Sequence, residues 1–181
     1  MNYKPILFLA LFLCFLQTLP ALTVTAKYDN IIVNYPVEDS LIVQSMINKF
    51  SLDLDDFHRK LGQYPELPVK IFILAEDAEY YRFARTSSEI IEFSRAFYSS
   101  RTGTIYLRNP REQRNFVQIN RILLHEYIHH FVSHYWVNVP LWFTEGMAVY
   151  FSGDLNMDRE INFVKNYILG NSLKLEQMKY R

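Results

Sequence analysis

The sequence predicts an α+β domain, with strands concentrated in the first 110 residues and helices after them. Three observations carry this prediction. Short β-branched runs bounded by Pro or Gly recur as far as Leu107, while apolar residues at spacings of three and four dominate two longer stretches. The chain of 181 residues is half apolar, with only 5 Gly and 7 Pro. That excludes a disordered or collagenous chain and supplies one sizeable core. Lys plus Arg and Asp plus Glu number 19 each, so the basic excess expected of a nucleic-acid binder is missing.

Residues 1–26 read as an export signal. Lys4 supplies the positive end, Ile6 to Leu16 is unbroken apolar sequence, and Pro20 precedes Val24-Thr25-Ala26, which suits signal peptidase. A secreted or periplasmic protein is expected, and a membrane-anchored one if the segment stays uncleaved. The single cysteine, Cys14, lies in the apolar run. A domain covering 27–181 therefore has no disulfide and must rely on its core or on a metal.

Along that domain, Ile31 to Tyr35 is a strand ended by Pro36. Asp39 and Ser40 are N-cap candidates for a helix whose stripe is Ile47, Phe50, Leu54, Phe57 and Leu61, stopped by Gly62. Val69 to Leu74 is a second strand, and Asp77 to about Ala84 a short helix. Arg95 to Ser99 and Thr104 to Leu107 form a hairpin in which Gly103 takes the left-handed position. Asn115 to His134 contains no helix breaker, and Leu124, Ile128, Phe131 and Tyr135 mark its apolar face. Pro140 opens a further helix to about Phe151, and a last one covers Asp158 to Leu169.

His125-Glu126-Tyr127-Ile128-His129 fits H-E-x-x-H inside the second long helix. Histidines four apart share a helical face, so both imidazoles reach one metal ion. Glu126 is turned by about 100° from His125. It flanks the metal, where it can take a proton from an activated water. At this composition only about 0.01 chance matches to the pattern are expected. Zinc needs a third protein ligand, and Glu145, sixteen residues after His129 at the start of the next helix, is the candidate. Its neighbours Trp142, Phe143, Met147 and Val149 are apolar, and Gly146 is expected to permit close approach of the two helices.

His125-Glu126-x-x-His129 followed by Trp-x-x-Glu-Gly-x-Ala-x-Tyr, Trp142 to Tyr150 here, resembles the gluzincin metallopeptidases, and within them the compact peptidase MA-like domains. The resemblance covers roughly residues 28 to 178. It implies a zincin-like fold, in which a small N-terminal mixed sheet precedes the H-E-x-x-H helix and a glutamate-ligand helix. It also implies one Zn2+ per chain held by His125, His129 and Glu145, with Glu126 as general base. The partner is then a peptide or protein substrate lying as an added strand on an edge near Thr104 to Leu107. Such enzymes commonly supply an oxyanion-stabilising Tyr or His further downstream. No such motif precedes Arg181, so the chain reads as lacking the C-terminal part of that domain, with Tyr150 and Tyr167 the first residues to test. The alternative is a non-catalytic, zinc-stabilised binding or scaffold module. His130 and His134 read as surface or rim histidines, and His58 as solvated beside Arg59 and Lys60.

Overall fold

The computed structural model describes residues 22–86, 94–112 and 116–153. Cys14, Tyr167, most of the expected export signal and the helix expected over 158–169 lie outside the described residues. Within them, the architecture is α+β around one mixed five-stranded sheet.

Strand β1, Thr23–Tyr28, was not expected. It runs through Val24-Thr25-Ala26 and pairs antiparallel with β2, Ile31–Pro36. The two-residue turn between them is made by Asp29 and Asn30, with Asp29 at φ 53°, a conformation its short polar side chain tolerates. Val24, Ala26 and Tyr28 pack on the core while Thr23, Thr25 and Lys27 alternate outward.

Helix α1 spans Ser40–Leu61 and buries Val43, Met46, Ile47, Phe50, Leu54 and Phe57. Gly62 ends it at φ 69°, where its N–H and that of Gln63 satisfy the carbonyls of Arg59 and His58. Asp39 does not cap α1 through its side chain. Fully buried, it bonds instead to the Arg111 guanidinium, which ties the start of α1 to the turn after β5. The acidic face of α1 is solvated, with Lys49 on Asp53 and Arg59 and Lys60 on Asp56.

Strand β3, Val69–Leu74, lies parallel to β2 and to β5, Thr104–Arg108. Helix α2, Asp77–Thr86, follows β3 and is anchored by the Asp77–Arg108 ion pair. Strand β4, Ala96–Ser99, turns through Gly103 at φ 63° into β5, antiparallel to it. The sheet order is β1-β2-β3-β5-β4. This corrects one expectation: Thr104 to Leu107 is not an edge, because β5 is flanked by β3 and β4. Among the described residues, the edge on that side is β4.

The two faces of the sheet differ. Ile71, Ile105 and Leu107 meet α1 and the long helix α3, Phe116–Tyr135, in the main core with Phe50, Phe57, Leu123, Tyr127 and Phe131. On the other face a smaller aromatic cluster packs under α2, with Tyr106 stacked between Phe97 (4.9 Å) and Phe83 (5.1 Å). Helix α4, Leu141–Ser152, packs against α3. Among the described residues no helix is long and apolar enough to cross a membrane.

Candidate metal centre

Helix α3 carries His125 and His129 one turn apart, their ring centroids 5.0 Å from each other. After α3 the chain reverses within a few residues. Trp136 N–H still reaches the Val132 carbonyl, Asn138 takes φ 58°, and Pro140 begins α4 at φ −62°. Proline suits this place because an unpaired N–H would be lost there anyway. The reversal lays α4 beside α3 with Glu145 opposite the histidines.

Glu145 Oε2 is 3.5 Å from His125 Nε2, and Glu145 Oε1 is 3.6 Å from His129 Nε2. The ligand-type atoms of the three residues all lie within 4.8 Å of one another. These separations are too long for hydrogen bonds. An ion pair does not explain the His129 separation either, because burial pushes that imidazole down to about 4 despite the nearby Glu145 charge, so at neutral pH it is uncharged. A tetrahedral ion about 2.1 Å from each of two ligands sets them about 3.4 Å apart. The donor set and its spacing therefore fit a zinc ion. Both imidazoles are mostly shielded while Glu145 is half exposed, so the triad opens to solvent on the α4 side.

Glu126 stands outside this group. Its Oε2 accepts the backbone N–H of Tyr98, in edge strand β4, at 2.8 Å. The 100° turn along α3 thus separates three converging ligand groups from a carboxylate held at the sheet edge. The structure brings His125, His129 and Glu145 together and keeps Glu126 apart from them.

Other expectations need correction. Gly146 does not mediate helix contact: a Cβ placed there meets nothing within 4 Å. The small residue at the α3–α4 contact is Ala148, which is fully buried. The apolar neighbours Trp142 and Phe143, like Leu141 and Tyr150, are exposed. Tyr150, five residues from Glu145, sits about 140° around α4 from it, away from the triad's face.

Two histidines read as surface groups are structural. His130 is buried against the Tyr98 ring, 5.3 Å between centroids, with Nε2 donating to the Pro68 carbonyl at 3.2 Å. His58 is half buried and pairs with the Tyr127 hydroxyl at 2.7 Å. Tyr127 is wedged edge-on between Phe50 and Phe57, so the middle of the H-E-x-x-H segment is fixed from below by α1. His134 is exposed as expected. The sequence also passed over Tyr98; its alternation with Ala96 on the helix-facing side of β4 was the available signal.

Comparison with protein-family models, curated proteins and solved structures returns no match to this chain. The site stands on its own geometry.

Proposed function

We propose that this chain is an exported zinc metallopeptidase of the zincin type, hydrolysing peptide bonds in substrates that lie extended along edge strand β4. The observation that carries the reading is the division of labour on α3. His125 and His129 converge with Glu145 at metal-ligand spacing, whereas Glu126 is kept apart and bound to the sheet edge. A purely structural zinc is closed by four protein ligands, whereas three leave an open position that a separate carboxylate can serve.

Zinc, when bound, supplies Lewis acidity, which makes water acidic enough to attack near neutral pH and polarises a peptide carbonyl. The protein's own groups do the rest. Neutral His129 presents a lone pair at physiological pH without first losing a proton. Glu126 accepts the proton of the attacking water and returns it to the departing amine. Strand β4, whose Tyr98 N–H is held by the base, offers its other outward backbone groups to a peptide chain, and the exposed Trp142 and Leu141 offer apolar surface beside Glu145. Export rests on the apolar run Ile6 to Leu16 behind Lys4.

Elemental analysis and peptide hydrolysis on the same purified variants test this. Wild type should carry about one zinc per chain, and His129→Ala or Glu145→Ala should lose most of it, whereas His134→Ala should not. Glu126→Gln should retain zinc and lose hydrolysis by at least about a hundredfold. Unchanged zinc in Glu145→Ala removes that ligand. Zinc binding with no hydrolysis in wild type leaves a zinc-stabilised binding module of the same fold.

A further inference from the structure

We propose that Tyr98 is a positioning residue for the base Glu126, an inference that rests on the peptidase reading above. A single residue of the edge strand touches α3 at three successive turns. Its backbone N–H donates to Glu126 Oε2 at 2.8 Å. Its ring meets the His130 ring edge-on at 5.3 Å. Its hydroxyl lies 2.8 Å from Ser133 Oγ. The Ser133 hydroxyl donates to the His130 carbonyl at 2.9 Å, which leaves its oxygen to accept from Tyr98.

Positions 126, 130 and 133 are spaced four and three apart, the i, i+4, i+7 stripe of one helical face, so the tyrosine lies along α3 rather than across it. The far end of this contact is held in turn, since buried His130 donates to the Pro68 carbonyl just before β3. Strand β4 is pinned on its other side by β5, with Phe97 opposite Tyr106 and Tyr98 opposite Ile105. In an antiparallel pair outward N–H groups alternate with paired ones, and the one at Tyr98 is directed at the carboxylate. The edge that receives the peptide and the carboxylate that moves the proton thus belong to one rigid unit, with the Tyr98 side chain as its clamp. Loosening the clamp moves the base relative to the scissile bond without touching a metal ligand. A displacement of about 1 Å there costs on the order of a hundredfold in turnover.

Tyr98→Ala in the full chain keeps the backbone N–H and removes the clamp. Zinc content should be unchanged, kcat should fall about a hundredfold, and KM should shift by less than about threefold. Tyr98→Phe breaks the hydroxyl contact alone, Ser133→Ala breaks it together with the bond to the His130 carbonyl, and both keep the ring contact. Each should lower kcat by about tenfold, and the double variant should be no worse than either single one, as expected of two partners in a single contact. A readout free of activity comes from amide hydrogen exchange at position 98. In metal-free protein that N–H should be protected, and protection should fall at least about tenfold both in Glu126→Ala and in Tyr98→Ala. Full kcat in zinc-loaded Tyr98→Ala overturns the proposal, as does exchange at position 98 that ignores Glu126→Ala. Absence of hydrolysis in wild type overturns the peptidase reading alone, and the exchange experiment then still decides whether Tyr98 and Glu126 are coupled.

Discussion

Three imidazoles on two packed helices share one electrostatic circumstance. Burial lowers the basicity of His58, of His130 and, to about 4, of His129. Each would take up a proton near pH 6.5 once unfolded but only at a lower pH when folded. Below 6.5 the unfolded chain therefore binds more protons, and stability falls as pH drops, flattening where the folded groups finally titrate. Urea midpoints of chelator-treated protein should be lower at about pH 5 than at about pH 7.5; a midpoint that holds or rises on acidification contradicts this origin. The arrangement of the candidate site along α3 was legible in the sequence because the helical repeat alone puts His125 and His129 together and turns Glu126 aside. His58 and His130 were not. Their partners Tyr127 and Pro68 lie 69 and 62 residues away, beyond the reach of local pattern.

At the scale of elements, periodicity read well wherever one face of a helix meets one core. The stripe of α1 from Ile47 to Phe57 is buried as spaced, and Gly62 ends it. The same reasoning failed at the α3–α4 contact, since composition does not say which small residue faces the neighbour. Gly146 faces open space at an ordinary helical φ, and Ala148 is the buried one. Gly146→Ala should consequently stabilise the chain by up to about 1 kcal/mol and leave zinc content intact. Ala148→Leu should cost about 1–3 kcal/mol through overpacking and lower zinc occupancy as α4 is pushed from the histidines. Denaturant titration with metal analysis on both variants checks the pair. Zinc lost from Gly146→Ala but kept in Ala148→Leu would restore the glycine as the contact. Strand order was likewise beyond local pattern: nothing in Thr104 to Leu107 announces that β4 closes the sheet outside it.

For the whole molecule, the N-terminal boundary has a structural consequence. The sequence marks a cut after Ala26, but β1 runs from Thr23 to Tyr28 with every residue paired to β2. A chain starting at Lys27 loses most of that strand and the packing of Val24 and Ala26 on the core. If the chain is exported and its leader removed, the product should therefore begin N-terminal to Thr23, as mass spectrometry of its first peptide would reveal. A version beginning at Lys27 should melt at least about 4 °C below one beginning at Leu22. Equal melting temperatures, or a native N-terminus at Lys27, would mean that β1 is dispensable. Hydropathy could not reveal β1, because the apolar run before it and the alternation within it merge into one stretch that resembles a leader.

The hydrogen bond from Tyr98 to Glu126 also bears on solubility. An outward N–H on a terminal strand is a template for pairing with another molecule, and proteins commonly blunt such edges with charge. Here the blunting charge is Glu126 itself, so the side chain proposed to do chemistry also keeps copies of the sheet apart. Two substitutions of Glu126 should then behave differently in the test tube. Glu126→Gln retains a carbonyl oxygen for the Tyr98 N–H and should stay monodisperse, whereas Glu126→Ala bares the strand and should associate as concentration rises. Light scattering across a dilution series separates them, and identical behaviour of the two would mean that the edge is guarded by something other than Glu126.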